Sequence, residues 1–107
     1  MGPVAVSVST NTDDWRYYSG GIIQTKKCGW MTDHIVVAVG YGEEPNGDQP
    51  AHPYLIIKNT WGPNWGEDGY ARISLRSRKG LFGGNGICNI LSDGNYGATV
   101  KIIKEEH

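Results

Sequence analysis

Three short segments of the sequence combine residue types that could take part in catalysis. Asp33-His34 precedes an apolar run, Lys58-Asn59-Thr60-Trp61-Gly62 places an asparagine before a tryptophan–glycine turn, and residues 65–70 are rich in glycine and acids. Histidine is the side chain that most often acts as an acid or base in enzymes. Taken singly, each segment also has a structural explanation: a histidine that begins a strand, an asparagine that caps a turn, and tryptophans that form a small core. A catalytic interpretation depends on their occurring together.

The two cysteines, Cys28 and Cys88, leave three interpretations open. They could form a disulfide, remain free thiols, or supply part of a metal site. A disulfide closing so long a loop would stabilise the fold by about 4–5 kcal/mol in the chain-entropy model. A site in which Cys28, His34 and a further ligand hold a metal has the least support, because neither cysteine has a Cys-x-x-Cys neighbour.

Length and charge restrict the classes of partner. The 107 residues correspond to one small domain, and the net charge is -1 with both signs scattered along the chain. Because there is no basic stripe, we expect no nucleic-acid partner. No apolar run approaches the ~20 residues that span a bilayer, so we expect no membrane partner.

The distribution of apolar and turn residues predicts mainly β structure with one short helix. Sixteen glycines separate short runs of Val, Ile and Tyr, which is typical of a turn-rich β architecture. We predict strands over residues 4–8, 22–24, 35–41, 54–58, 70–75 and 98–103, the third of them buried on both faces. We predict a solvated loop over 43–53 and an ordered loop over 59–69. The expected fold class is an antiparallel, barrel-like β domain.

The one predicted helix lies around Trp15. Thr10 or Asn11 is expected to cap its N-terminus, and the acids that follow favour the first turn. Gly20-Gly21 is expected to stop it.

Taken together, the segments closely resemble the papain family of cysteine proteases. The matching residues follow the family order: Gly2-Pro3-Val4, Tyr18-Ser19-Gly20-Gly21-Ile22, Asp33-His34, Val39-Gly40-Tyr41-Gly42, Ile56-Ile57-Lys58-Asn59-Thr60-Trp61-Gly62 and the run PNWGEDGYARI at 63–73. The similarity extends from Gly2 to about Ile90. It implies that residues 1–107 are the C-terminal, right-hand β-barrel domain of the papain-like α+β fold.

The resemblance implies active-site roles for three residues, two catalytic and one supporting. His34 is the acid and base that pairs with the catalytic thiolate, Asn59 orients it, and Trp61 covers their contact. A neighbouring imidazolium lowers the pKa of a cysteine and so maintains the nucleophilic thiolate. A neutral amide accepts the other ring N–H without drawing the proton strongly, and an indole over the contact excludes water.

The resemblance also implies a substrate-binding set beside the histidine. Ser7, Ile35 and Asp93 fall where family members line the S2 pocket, and Asp33 completes the predicted set. Ile35 is bulkier than the Ala or Gly usual there and would narrow the pocket. An acid at position 93 would allow arginine at P2, while the alternative is a surface aspartate in a turn.

The nucleophile of the family is absent from these residues. They contain no Cys-Gly-[Ser/Ala]-Cys-[Trp/Tyr] run, and in the family both that cysteine and the oxyanion glutamine belong to the N-terminal domain. Cys28 and Cys88 instead match a family disulfide that ties the loop before the histidine strand to the C-terminal segment. We therefore expect the nucleophile-bearing half to be absent and these residues alone to be inactive.

The resemblance implies further properties of the protein. The expected partners are the N-terminal domain of the same peptidase and peptide or protein substrates, with self-association through the exposed domain interface. No cofactor is implied, and the family suggests a lysosomal or secreted location.

Two functional hypotheses follow. The first is half of an active thiol endopeptidase, which the presence of both His34 and Asn59 favours, because a binding module has no chemical need for that pair. The second is a non-catalytic papain-like relative that binds peptides or proteins through the half-cleft. The tryptophans at positions 15, 30, 61 and 65 could supply that surface, although a core role is expected for most of them.

Overall fold

The computed structural model describes residues 4–25, 28, 32–77, 80–81, 86–91 and 102 of the chain, and strands dominate this part. The strands are β1 (Val4–Val8), β2 (Ile22–Ile23), β3 (His34–Asn46), β4 (Gln49–Lys58), β5 (Tyr70–Ser74), β6 (Arg76–Ser77) and β7 (Gly80–Leu81). The helix α1 spans Asp13–Arg16, and a 3-10 helix spans Ile87–Asn89. The predicted fold class, mainly β with one short helix, is confirmed.

Five strands form the main sheet in the order β1-β3-β4-β5-β2, and β6 pairs with β7 in a small hairpin. The pairs β1–β3, β3–β4 and β4–β5 are antiparallel, as predicted. The pair β2–β5 is parallel, with Ile22 opposite Arg72. The sheet is therefore mixed, since three of its strand pairs are antiparallel and the pair β2–β5 is parallel.

Strand β3 is buried on one face only, so the prediction of a strand buried on both faces is wrong. Val36 and Ala38 are fully buried, whereas Ile35 and Val39 are exposed. Side chains alternate across a strand, and only one face of this sheet is covered by the described residues that form the core. Apolar side chains on the outer face of β3 therefore meet solvent.

Residues 43–53 form the arms of a β-hairpin rather than the predicted loop. Strands β3 and β4 remain paired from Glu43 opposite Pro53 to Asn46 opposite Gln49. Only two residues connect them, and the first, Gly47, has a φ of 60°. A glycine there is typical of the II′ turn, whose twist matches that of the flanking strands.

The N-cap of α1 is Thr12, not Thr10 or Asn11. The Thr12 side chain accepts a hydrogen bond from the Asp14 amide at 3.3 Å, and Thr12 has extended backbone geometry. Thr10 bonds Asp33 instead. The helix ends at Arg16, before the glycine pair that was expected to stop it.

The core lies against the inner face of the sheet and is completed by two tryptophans. The fully buried apolar side chains of the strands are Val6, Val8, Val36, Ala38, Leu55, Ile57, Ala71 and Ile73. Trp15 of α1 is fully buried, its ring 5.4 Å from that of Trp65, whose indole N–H donates to the Trp15 carbonyl at 2.9 Å. No helix among the described residues has the length and apolar character to cross a bilayer.

The predicted strand over 98–103 lies outside the described residues except for one position. Ile102 is described, and it is buried with helical backbone geometry.

A disulfide joins Cys28 to Cys88 across 60 residues. Cys88 is buried in the core, and its carbonyl accepts a hydrogen bond from the Ser9 amide at 2.9 Å. The bond thus ties the segment before β3 to the 3-10 helix and to the end of β1. The free-thiol and metal-site interpretations of the two cysteines are wrong, because neither thiol is free.

We expect replacement of Cys28 and Cys88 by alanine to lower the free energy of unfolding by up to about 4 kcal/mol, because the unfolded chain regains the entropy of a long loop. Urea denaturation followed by tryptophan fluorescence would measure the loss. The Cys28→Ala, Cys88→Ala protein should match the reduced native protein. Equal midpoints for oxidised and reduced native protein would contradict a stabilising role.

Candidate active site

His34 is the first residue of β3 and lies opposite Val8, the last residue of β1. The preceding residue, Asp33, donates its backbone N–H to the Val8 carbonyl at 3.0 Å. Its carboxylate accepts hydrogen bonds from the Thr10 amide at 2.8 Å and the Thr10 hydroxyl at 3.0 Å. Asp33 therefore joins the end of β1 to the start of β3 and fixes the backbone from which the histidine projects.

The His34 ring is held by Asn59, which directly follows β4. The distance from His34 Nε2 to Asn59 Oδ1 is 2.8 Å. An amide oxygen can only accept, so Nε2 carries the proton of this bond. The other ring nitrogen, Nδ1, remains as the one that can exchange a proton with a reacting group.

Asn59 is itself fixed in orientation. The residue is buried, its Oδ1 also accepts from the Thr60 backbone N–H at 2.8 Å, and its own backbone N–H donates to the Gly69 carbonyl at 3.0 Å. Two donors on one oxygen determine which end of the side-chain amide faces His34. The carboxamide is thus a preorganised acceptor.

Trp61 covers the histidine and connects it to the core. Its ring lies 5.4 Å from that of His34, and it meets Trp65 edge-on at 5.8 Å. Trp65 is buried against Trp15 and Tyr18. Trp61 itself remains 43% exposed, so its outer side faces solvent while its inner side shields the site.

The loop between β4 and β5 needs glycine where it passes close to other backbone. Gly66 has a φ of 63°, and a Cβ there would lie 2.6 Å from the Tyr70 carbonyl oxygen and 2.9 Å from the Tyr18 ring. Any side chain would push the loop away from Tyr18 and from the start of β5. The prediction of an ordered loop over residues 59–69 is confirmed by these contacts.

An ion pair that sequence reasoning missed anchors the same loop. Arg72 of β5 binds Glu67 with two hydrogen bonds, 3.0 Å from Nε to Oε1 and 2.9 Å from Nη2 to Oε2. Glu67 also accepts from the Gly21 amide at 3.2 Å. The bonds from Arg72 lower the pKa of Glu67, and the same bonds raise the pKa of Arg72. No helix or strand periodicity relates positions 67 and 72, because a turn lies between them. The only indication of this ion pair in the sequence is the presence of opposite charges on the two sides of that turn.

A pocket of about 560 Å³ beside the histidine contains three of the predicted substrate-binding residues. It is lined by Ser7, Thr32, Asp33, His34 and Ile35. Ser7 and Ile35 are cross-strand partners, and the Ile35 side chain is 61% exposed. The fourth predicted residue, Asp93, and Trp30 lie outside the described residues.

The described residues offer no cluster of three or more His, Cys, Asp or Glu side chains that could hold a metal ion. Both cysteines of the sequence are in the disulfide. The 107 residues therefore hold a hydrogen-bonded histidine–asparagine pair and no free thiol.

Comparison with known proteins agrees with this geometry. The model of the papain family of cysteine proteases matches residues 1–98. The cysteine endopeptidase RepA of Oryza sativa is 37% identical over 97% of this chain and 28% of its own length, and mexicain of Jacaratia mexicana is 45% identical over 70% and 30%. The chain belongs to the papain family of cysteine proteases.

Solved structures show the same relationship. The bromelain protease of Ananas comosus, in complex with the E64 inhibitor, matches with a TM-score of 0.65 and 39% identity over 82% of this chain and 36% of its own. The cysteine protease CMS1MS2 of Carica candamarcensis, in complex with E-64, matches with a TM-score of 0.64 and 38% identity over 84% and 36%. The chain thus spans about a quarter of the curated relatives and a third of these two structures.

We expect replacement of Trp61 by alanine to expose the His34–Asn59 hydrogen bond to water. The Nε2 proton of His34, followed by NMR, should then exchange with solvent at least about tenfold faster, the equivalent of roughly 1.4 kcal/mol. Tyr17→Ala, which removes an exposed aromatic ring elsewhere, is the matched control. Unchanged exchange in the Trp61 variant would show that the indole does not shield the bond.

We expect Glu67→Gln to reduce stability in a pH-dependent way. Glu67 has a folded-state pKa below its ordinary value of 4.5, so its ionised form stabilises the fold above that value and the contribution disappears as pH falls through the folded pKa. The pair is partly exposed and screened by solvent, so the loss at pH 7 should be about 1 kcal/mol or less. The urea midpoints of the two proteins should converge as the pH falls below 4.5 and through the folded-state pKa of Glu67; a difference that stays constant over that whole range would refute the ionic role.

Proposed function

We propose that these residues are the C-terminal half of a papain-like cysteine endopeptidase and supply its histidine and asparagine. The observation that carries the proposal is the 2.8 Å hydrogen bond between His34 Nε2 and Asn59 Oδ1, which orients the ring and leaves Nδ1 for proton transfer. Membership of the papain family supports it. A nucleophile must come from residues beyond these 107, because both cysteines are paired.

In the proposed reaction, His34 acts through Nδ1 on a thiolate carried by the N-terminal half. The sulfur attacks the peptide carbonyl carbon, the C–N bond breaks, and His34 gives its proton to the leaving amine. His34 then accepts a proton from the water that attacks the thioester; the C–S bond breaks, the acid is released, and the thiolate and the protonated imidazole are restored. Asn59 keeps the His34 ring aligned through both steps. Trp61 keeps water from the hydrogen bond between His34 and Asn59.

The pocket beside His34 is the proposed site for a substrate side chain. Ser7 and Ile35 form its walls on neighbouring strands, and the exposed Ile35 offers an apolar contact. Asp33 lines the pocket, but its Oδ1 accepts two hydrogen bonds from Thr10, so we assign it chiefly to positioning the backbone before His34. The proposed substrates are peptides or proteins.

The disulfide supports a location outside the cytosol. Disulfides persist in oxidising compartments and are rare where glutathione keeps thiols reduced. A secreted or lysosomal location is therefore part of the proposal.

A chimera tests the function directly. The segment of the bromelain protease that matches this chain would be replaced by residues 1–107, so that the thiol comes from a protease known to bind E64. We expect thiol-dependent peptide hydrolysis that E64 abolishes. His34→Ala should lower kcat/KM by about 10²–10⁴-fold, and Asn59→Ala by about ten- to a hundredfold, equal to 1.4–2.8 kcal/mol.

The other described histidine supplies the matched control. His52 lies on β4 and bonds the Ser74 hydroxyl at 2.6 Å, outside the site. His52→Gln should leave kcat/KM nearly unchanged. A folded chimera that hydrolyses equally well without His34 would refute the proposal, and one that binds peptide without hydrolysis would favour the non-catalytic alternative.

A further inference from the structure

Cys88 combines a covalent cross-link with an unusual backbone conformation. It has a φ of 52° and a ψ of 32° inside the 3-10 helix. This left-handed region is disfavoured for a residue with a Cβ, because the side chain crowds the backbone. Among the described residues, Asp68 is the only other non-glycine residue with a positive φ. Such a conformation persists only where the surroundings enforce it.

Three sets of interactions enforce the conformation of Cys88. Its neighbours Ile87 and Ile90 are buried in the core, and the Ile90 backbone N–H donates to the Ile87 carbonyl at 3.0 Å. Its sulfur is bonded to Cys28, which packs against the core. Its carbonyl accepts the Ser9 backbone N–H at 2.9 Å. The backbone at position 88 is thus fixed in the orientation that presents its carbonyl to Ser9.

The end of β1 connects this anchorage to the backbone that precedes His34. Ser9 is fully buried and lies between two residues that bind Asp33. The Val8 carbonyl accepts the Asp33 backbone N–H at 3.0 Å, and Thr10 donates to the Asp33 carboxylate at 2.8 Å and 3.0 Å. Because Asp33 immediately precedes His34, the position of Ser9 determines where the histidine begins β3.

The disulfide closes this series of contacts into a ring. Cys28 belongs to the segment before β3, and Cys88 reaches the start of the same strand through Ser9. Without the cross-link, the Cβ of residue 88 favours a different φ, and the carbonyl then turns away from Ser9. The start of β3 would lose its anchorage from both directions.

We infer that Cys88 is a positioning residue for His34: the disulfide holds its backbone in the left-handed conformation, and its carbonyl fixes the end of β1 and hence Asp33. The inference rests on the proposed function, in which the imidazole must be aligned with a reacting group. Because Cys88 is buried in the core, it acts on the reaction only through the orientation of the histidine.

Two variants separate the backbone conformation from the cross-link. The alanine variant carries Cys28→Ala and Cys88→Ala, and the glycine variant carries Cys28→Ala and Cys88→Gly. Neither forms the disulfide, but glycine adopts a positive φ about as readily as a negative one. The glycine variant should therefore keep His34 in place, whereas the alanine variant should not. Reduced native protein, which keeps a Cβ at position 88, should behave as the alanine variant does and replaces it if that variant does not fold.

Hydrogen exchange in residues 1–107, followed by NMR, gives a readout that does not require turnover. In the alanine variant we expect the backbone amides of Ser9 and Asp33, and the Nε2 proton of His34, to exchange at least about tenfold faster than in the oxidised native protein. In the glycine variant the three rates should return to within about threefold of the native rates.

The backbone N–H of Leu75 is the internal control. It donates to the Pro53 carbonyl at 3.1 Å, at the end of β5 away from the His34–Asn59 contact. It reports opening of the sheet as a whole, so it should exchange at similar rates in the alanine and glycine variants.

The same substitutions in the bromelain chimera test the consequence for catalysis. The alanine variant should lower kcat about tenfold with KM unchanged, because a misaligned imidazole impairs proton transfer and leaves peptide binding intact. The glycine variant should restore kcat to within about threefold.

The outcomes separate this inference from the proposed function. Equal exchange of the His34 Nε2 proton in the alanine and glycine variants would overturn the inference, because the φ of residue 88 would then not matter. Equal kcat of the two variants in an active chimera would overturn it as well. A chimera that is inactive in every form refutes the proposed function, and the exchange rates of residues 1–107 then decide the inference by themselves.

Discussion

The antiparallel register of β3 with β4 is the constraint on which the site depends. It places Val37 of β3 opposite Lys58 of β4. His34, which begins β3, and Asn59, which follows β4, therefore lie at the same edge of the sheet. A shift of one residue would turn every side chain of a strand to the opposite face. The 2.8 Å contact between His34 and Asn59 is therefore a consequence of sheet pairing, which the buried inner residues enforce.

Around this edge the structure combines a rigid interior with an open exterior. The aromatic rings of Trp15, Trp65 and Trp61 form a continuous series from the centre of the core to the histidine. The loop that contains Trp61 and Trp65 is also fixed to β5 by the ion pair between Glu67 and Arg72. The orientation of the imidazole is thus supported by packing and by hydrogen bonds that do not themselves touch a reacting group.

Sequence reasoning identified the family and the strands best where the pattern was local. The fold class was correct because strand runs and turns are encoded by neighbouring residues, and the family followed from the ordered motifs around His34 and Asn59. It was wrong about residues 43–53, where polar side chains suggested a loop, because a hairpin can expose its side chains while its backbone remains paired. It was also wrong about the faces of β3, because an apolar run does not reveal that Ile35 and Val39 are exposed while Val36 and Ala38 are buried.

The contacts that sequence reasoning missed are mainly non-local. Nothing in the spacing of Thr10 and Asp33 indicates a hydrogen bond across 23 residues, so sequence reasoning did not foresee that Asp33 joins the end of β1 to the start of β3. The Glu67–Arg72 pair likewise depends on how a loop folds back on a strand. Such contacts are set by topology, which residue types and periodicity do not specify.

The parallel pairing of β2 with β5 has a consequence for how the chain folds. Strands β3 and β4 meet through a two-residue turn and β5 follows after one loop, so this meander closes with little loss of chain entropy. Strand β2, in contrast, joins Ile22 to Arg72 across the whole meander. Only two residues of β2 pair with β5, although the partners are about 50 residues apart in the sequence. Pairing between residues so distant in the sequence slows folding. The order of assembly that loses the least chain entropy therefore forms the β3–β4–β5 meander first. In that order, α1 and its buried Trp15 pack on the core when β2 pairs with β5.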